Sequence, residues 1–241
     1  MESKKNIVVI PGDGVGPEVV EATELLLRNV QPALEFSHYE GGDHSLEKNG
    51  RALPEETLKA SKEADAVLLG ACGETAADVV IRLRKELDTY VNLRPIVARP
   101  GVNCLKPETN LVIVRENTEC LYKGIENIIS PGVATATRVI TQGASKRIAN
   151  FAFNYADKHN FDKVTAIHKS NVLRTTDRLF LDSVREVAEG FPQNYEEALV
   201  DAAALHLVMN PEKYDVMVTT NMFGDILSDL AGGLIGGLGL C

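Results

Sequence analysis

The sequence predicts an α/β fold built on parallel sheet. Two observations carry that expectation. Short runs of β-branched and apolar residues alternate with helix-length amphipathic segments through residues 7–90. The early runs also close at glycine-rich turns, "NIVVIPGDG" and "DAVLLGA", the rhythm of βαβ units.

Taken in order, Ile7–Ile10 reads as a strand and Pro17–Val30 as an amphipathic helix, with proline at a first helical position where its missing N–H is no loss. The turn between them has the outline of a dinucleotide-binding fingerprint. That fingerprint needs Gly-x-Gly-x-x-Gly; here Gly12 and Gly14 are followed by Pro17 at the third position, so a strand–turn–helix stands and a Rossmann phosphate cradle does not. "ALEFSHYE" is a second strand, "LPEETLKASKEA" a helix and "DAVLLGA" a buried strand. "ADVVIRLRKELDTY" is a helix with an apolar stripe at Val80, Leu83 and Leu87. The middle, "NLVIVRENTECLYKGIENIISPGVATATRVIT", is rich in β-branched residues and broken at Pro131–Gly132; it predicts strands with a projecting hairpin or arm. Beyond it come a helix ("QGASKRIANFAFNYADKHN"), a strand ("KVTAIHK") and two helices ("TTDRLFLDSVREVAEG" and "EEALVDAAALHLVMN"). A buried strand, "YDVMVTT", and a helix from "FGDILSDLAGGL" complete the order. No internal repeat or low-complexity linker interrupts it. The chain stops at "AGGLIGGLGLC" without a polar tail, which reads as a sequence cut short.

The 241 residues suffice for one large domain or two small ones. Lys plus Arg is 25 against 34 Asp plus Glu, a net charge of −9, which argues against a nucleic-acid or anionic-membrane surface. A small acidic substrate gripped by a local arginine cluster remains compatible. The four cysteines, Cys72, Cys104, Cys120 and Cys241, form no C-x-x-C pair, and no histidine stands at zinc-ligand spacing; they read as thiols in a reducing cytoplasm. The apolar run near the N-terminus, Ile7 to Pro11, is too short for a signal-peptide core, and no stretch approaches a membrane span, so a cytoplasmic location is expected.

Asp225 and Asp229 lie four apart on a predicted helix and share a face. That helix follows a buried strand, where open α/β sheets gather their sites. Paired carboxylates suit Mg²⁺ or Mn²⁺, with Asp201 a third candidate ligand, although two solvated aspartates would look the same. Arg84, Arg94 and Arg115 are candidate carboxylate clamps; Arg115, followed by Glu116, is equally readable as a plain ion pair. Lys169 in "AIHKSNVLR" is a candidate base and Tyr122 in "TECLYKG" a candidate proton donor; a surface lysine and a core tyrosine fit the same spacing. The five histidines share no spacing and take no role.

Singly these signals are weak. In order, "VIPGDGVGPEV", "LRKELDTYVNLRP", "VRENTECLY", "HKSNVLR", "VDAAALHLV" and "TTNMFGDILSDLAGGLIGGLGL" resemble the metal-dependent β-decarboxylating dehydrogenases from Ile7 to the last residue. That family includes the isopropylmalate, isocitrate, homoisocitrate and tartrate enzymes. "NMFGDILSD" with "GGLGL" is the most specific part, and "GETAADVVIRLRKELDTYVNLRP" looks most like the archaeal, methanogen-type isopropylmalate branch.

The resemblance implies a two-domain, isopropylmalate-dehydrogenase-like fold, not Rossmann, with a β-rich dimerisation arm. It divides the chain into a cofactor-side domain of residues 1–97 plus 237–241 and a second domain of residues 98–236. It implies truncation as well, since relatives continue past "GGLGL" with a cofactor-binding loop. It assigns Arg84, Arg94 and Arg115 to substrate carboxylates, Tyr122 to protonation and Lys169 to deprotonating the hydroxyl. Asp201, Asp225 and Asp229 are assigned to the metal, and Glu74 and Thr75 to the cofactor. Lys169 and Asp201 serve the neighbouring subunit's site, so the partner expected is a second copy, in a homodimer or a tetramer.

Cofactors expected are NAD, with NADP as the alternative, and Mg²⁺ or Mn²⁺. The substrate expected is a 2-hydroxy di- or tricarboxylic acid, with 3-isopropylmalate favoured, because Val80, Ile81 and, from the partner, Val172 are expected to form an apolar pocket against which a carboxylate is costly to desolvate. Arg82 is the contrary signal: turned inward, it would suit the extra carboxylate of isocitrate or homoisocitrate. A truncated, non-catalytic dimerising subunit is the alternative to an enzyme. Cys120 departs from the glycine or aspartate of many relatives and is expected to alter local packing only.

Overall fold

The computed structural model describes residues 4–240. The chain divides into two compact units, the first ending at Asp88 and the second beginning at Thr89.

The first unit contains β1 (Lys5–Ile10), α1 (Gly16–Val30), β2 (Leu34–His38), α2 (Asp43–Asn49), α3 (Glu55–Glu63), β3 (Ala66–Leu69) and α4 (Arg82–Glu86). Its sheet is parallel in the order β2-β1-β3, with Val8 opposite both Ser37 and Val67. The central strand alternates faces with a period of two. Val8 and Ile10 pack with Leu53, Leu58, Val79 and Leu83, whereas Ile7 and Val9 pack with Val20 of α1. The helix α2 is not anticipated by the sequence; seven residues ending at Gly50 in the left-handed conformation leave little periodicity to read.

The predicted 77–90 helix is corrected in two ways. Ala77–Ile81 forms a π-helical turn before α4 begins. The wider turn shifts the inward stripe by one residue: Val79 and Leu83 are buried, and Val80 is only half-buried.

The second unit contains β4 (Val91–Val97), β5 (Asn110–Glu116), β6 (Glu126–Ser130), β7 (Val133–Ala136), α5 (Gln142–Lys158), β8 (Lys163–His168), α6 (Thr176–Ala188), β9 (Asn194–Leu199), α7 (Val200–Met209), β10 (Val216–Thr219) and α8 (Asn221–Leu234). The sheet order is β4-β5-β10-β8-β9, parallel except for the β4–β5 pair. Both faces are covered, which is why β5 and β10 read as continuous apolar runs. Val112, Val114, Val164, Val216 and Val218 pack with Ile148 and Phe153 of α5 and Phe180 of α6. On the opposite face Ile113, Ile167 and Met217 pack with Leu207 of α7 and Leu227 of α8.

Two strands depart from the sequence reading. β4 was not anticipated. It pairs along its whole length with β5, Val91 to Glu116 through Val97 to Asn110, and so lies within the compact unit that begins at Thr89. The expected helix over 196–210 begins only at Val200, because Asn194–Leu199 pairs with β8 from Lys163 to His168. Tertiary pairing overrides the helical preference of "EEAL". There Glu197 accepts from Arg185 of α6 at 2.6 and 2.8 Å and from Tyr195 at 2.8 Å.

β6 and β7 form the expected antiparallel hairpin around Pro131–Gly132, every residue of both strands exposed. Cys72, Cys104 and Cys120 are unbridged; Cys241 lies outside the described residues. Among the described residues no helix is long and apolar enough to cross a membrane.

Candidate active site

Arg115 lies at the carboxyl end of β5, in register with Thr219 of β10. Two residues after Thr219 the chain enters α8, so that helix's first turn arrives over Arg115. Gly224 permits the approach: a Cβ there would lie 2.6 Å from Arg115 Cγ. Arg115 is 1% exposed and cannot be left unpaired. Its Nε and Nη2 donate to Asn221 Oδ1 at 2.9 and 2.7 Å, and its Nη1 pairs with Asp225. The alternative of a plain ion pair with Glu116 is not what forms; Glu116 instead accepts from Thr118 and Glu119.

Tyr122, in the 3₁₀ turn Leu121–Lys123, donates its hydroxyl to the second oxygen of Asp225, and the Arg115 guanidinium lies 5.2 Å from its ring centroid. Burial, and then the hydrogen bond that the Asp225 carboxylate accepts from it, raise the phenol above its ordinary value against an opposing pull from Arg115. The tyrosine is therefore a protonated donor at neutral pH.

A second cluster forms at the end of β8. Lys169 Nζ pairs with Asp201 in the first turn of α7 at 2.7 Å, and that pairing lowers the Asp201 pKa. The turn after Lys169 folds onto its carbonyl, which accepts from Val172 and Leu173 at 3.0 and 2.8 Å. Val172 is thereby held beside Lys169, exposed. Arg94, on β4, is half-buried and donates to Asn92 Oδ1 at 2.8 Å.

The first unit holds Arg84, Val80 and Ile81, all half-buried, and the loop with Glu74 and Thr75. Arg82 is engaged locally: it donates to Glu55 at 2.7 Å and to the Leu53 carbonyl at 3.4 Å. The glycine-rich turn after β1 is also explained. Asp13 accepts from the backbone N–H groups of Asp43, His44 and Gly73 at 2.8, 3.2 and 3.0 Å. Asp43 in turn accepts from the N–H of Glu74 at 3.0 Å, and from the N–H and hydroxyl of Thr75 at 2.8 and 2.6 Å. Two carboxylates thus occupy donors that a phosphate cradle would leave open, and they fix the loop carrying the cofactor candidates. Burial alone would raise Asp13, but its three backbone hydrogen bonds outweigh it and the net shift is downward. Asp43 is lowered by the Thr75 hydroxyl and then by the Thr75 N–H.

As a metal site the residues fit in part. Asp225 and Asp229 share the accessible face of α8, the Asp225 side chain being 39% exposed, and offer the oxygen donors that Mg²⁺ or Mn²⁺ prefers. Among the described residues no group of three or more metal-capable side chains assembles within one chain, so Asp201 does not join them there. Asn221, Asp13 and Asp43 were missed as functional supports. Asn221 sits inside the most specific motif, "NMFGDILSD", and Asp13 inside "VIPGDGVGPEV", and those were their available signals; Asp43 had none beyond its glycine neighbours.

The isocitrate/isopropylmalate dehydrogenase family model matches residues 6–241. The chain is 56% identical over 237 residues to the 3-isopropylmalate dehydrogenase of Archaeoglobus fulgidus, covering 98% of this chain and 72% of that one. It is 54% identical over 241 residues to the Methanothermobacter thermautotrophicus 3-isopropylmalate dehydrogenase, covering 100% and 73%. The crystal structure of isocitrate dehydrogenase from Methylococcus capsulatus superposes with a TM-score of 0.91 at 39% identity, over 98% of this chain and 72% of that one. Matched by the family model over nearly its whole length, and sharing its fold with one solved member and more than half its residues with an archaeal one, the chain belongs to the isocitrate/isopropylmalate dehydrogenase family.

Proposed function

We propose that the protein oxidatively decarboxylates a 3-substituted malate, with 3-isopropylmalate preferred, and passes the hydride to NAD, a step of leucine biosynthesis. The observation that carries this reading is the interlock of Arg115, Tyr122 and Asp225. It joins a carboxylate-binding cation, a donor kept protonated and a metal-capable carboxylate in one set of contacts. The archaeal relatives' names support the same reaction.

In this reading Arg84, Arg94 and Arg115 bind the substrate carboxylates through paired N–H donors. Lys169 helps remove the hydroxyl proton. When CO₂ has left, Tyr122 protonates the enol carbon. Glu74 and Thr75 contact the cofactor. Asp225 and Asp229, with Asp201 of the partner subunit, hold Mg²⁺ or Mn²⁺, which when bound supplies Lewis-acid polarisation of the hydroxy-acid oxygens. Lys169 and Asp201 pair with each other and not with Tyr122 or Asp229, which supports their service to a neighbouring subunit in a homodimer.

For the substrate, the engagement of Arg82 by Glu55 and the Leu53 carbonyl supports an apolar pocket of Val80, Ile81 and Val172 of the partner subunit. Each buried CH₂ contributes about 0.8 kcal/mol, so alkyl recognition discriminates modestly. Rejection of a tricarboxylate is stronger, since its extra charge loses water without gaining a partner. The test is kcat/KM with NAD and Mn²⁺ for 3-isopropylmalate, 3-methylmalate, isocitrate and homoisocitrate in one buffer. 3-Isopropylmalate is expected to lead. A lead for either tricarboxylate overturns the pocket argument, and absence of turnover on all four overturns the reaction in favour of a non-catalytic subunit.

A further inference from the structure

Arg138 follows the β6–β7 hairpin and has no part in the reaction proposed above, yet its side chain reaches the turn that carries Tyr122 and the head of α8 directly, and the backbone of Lys169 through Asp177. Its side chain is 13% exposed, and its Nη1 is paired with Asp177, a carboxylate that is wholly buried. The other oxygen of Asp177 accepts the backbone N–H of Lys169 at 2.5 Å. Arg138 Nη2 donates to Thr220 Oγ1 at 2.9 Å, Nη1 also to Thr176 Oγ1 at 2.9 Å, and Nε to Cys120 Sγ at 3.2 Å. Its guanidinium lies 5.1 Å from the ring centroid of Phe223.

Two of these contacts are unusual for their positions. Thr220 is the N-cap residue of α8, where a threonine hydroxyl normally accepts from the helix's own first N–H groups. Here it makes no such cap and accepts from Arg138 instead. Cys120 begins the 3₁₀ turn bearing Tyr122, with φ of 73°, a backbone region that side chains other than glycine rarely enter. Its backbone exchanges hydrogen bonds with Val139, the residue after Arg138, and its sulfur accepts from the guanidinium. The thiol is therefore a contact point and more than a packing change. A planar guanidinium, with five N–H donors spread over three nitrogens, can hold these four acceptors at once; an ammonium, with three donors on a single atom, cannot.

We propose that Arg138, paired with buried Asp177, is a positioning residue that sets Lys169, the Tyr122 turn and the head of α8 in register for the reaction. The proposal rests on the function proposed above for what these groups do, and on geometry alone for how they are held.

The test compares Arg138→Lys, Thr220→Val and Cys120→Ala with the unaltered protein. Arg138→Lys keeps the charge against Asp177 and loses the fork; kcat for 3-isopropylmalate is expected to fall at least 30-fold, with KM within threefold. Thr220→Val is expected to lower kcat about tenfold in the unaltered protein and less than twofold in Arg138→Lys, because both remove the same bond. A second readout needs no turnover: with ¹³Cζ-labelled tyrosine, the Tyr122 resonance, assigned through Tyr122→Phe, should move in all three variants. If Arg138→Lys fails to fold, Thr220→Val and Cys120→Ala carry the test by both readouts. An unchanged kcat with an unmoved Tyr122 resonance in folded variants overturns the proposal. A moved resonance in a protein that turns over none of the four acids supports the positioning role and overturns the reaction instead.

Discussion

Replacing Gly224 by alanine puts a methyl group 2.6 Å from Arg115 Cγ, 2.7 Å from Cβ and 3.1 Å from Cδ. Carbon atoms prefer about 3.5–4.0 Å, so three contacts fall short by up to an ångström. The Arg115 stem cannot swing away cheaply, since its head is bound to Asn221 and Asp225. Overpacking of this kind costs about 1–3 kcal/mol, against a gain of about 0.8 kcal/mol from helix propensity. The expected net loss is therefore about 0.2–2 kcal/mol. Gly233 is the internal control. It lies in the same helix, and a Cβ there meets nothing within 4 Å, so Gly233→Ala should stabilise by up to about 0.8 kcal/mol. Urea denaturation of the two variants beside the parent reads both signs, and kcat/KM should fall only in Gly224→Ala, through displacement of Arg115. Stabilisation by both substitutions would refute the close packing of α8 on Arg115, and with it the account of how this site is assembled.

Three further outcomes are expected. Asp13 and Asp43 have folded pKa values below their ordinary ones, so the unfolded chain binds more protons: their stabilisation is full above about pH 4 and is lost as pH falls through the folded values. Asp13→Asn should flatten the fall in urea midpoint between pH 5 and pH 3, and an unaltered slope counts against the brace. Glu55→Ala releases Arg82 from an exposed, solvent-screened pair, so the kcat/KM ratio of isocitrate to 3-isopropylmalate should rise only modestly, by about fivefold at most; a ratio that falls contradicts the role given to Arg82. Mixing Lys169→Met with Tyr122→Phe should restore roughly a quarter of the sites by subunit exchange in a two-fold dimer, and proven exchange without recovery would point to sites built within one chain.

What the sequence made legible follows from how local each cause is. β1, β5 and β10 could be read because a strand covered on both faces must be apolar throughout, and α1 because Pro17 and its periodicity agree. The loss of the third glycine at Pro17 was enough to set aside a phosphate cradle, but not to reveal that Asp13 fills the space. That depends on α2 and on the Gly73–Thr75 loop, 30 and more residues away. The same limit explains the errors. "EEAL" is a helical tetrapeptide locally, and only the vacancy beside β8 makes it a strand; the inward shift from Val80 to Val79 depends on one extra residue in a turn, which periodicity cannot register. At the site, Arg115, Tyr122 and Asp225 were legible as types at motif positions, each with a bland alternative beside it. Their mutual contacts were not, because Gly224 and Asn221 act only through the approach of α8 to β5. Arg138 marks the extreme case: nothing around it in "TATRVIT" hints at chemistry, and the role proposed for it arises wholly from acceptors contributed by residues 120, 176, 177 and 220. A residue whose partners are this distant acquires meaning only in the folded chain, and substitutions at such positions are where sequence-based expectation and measured activity should diverge most.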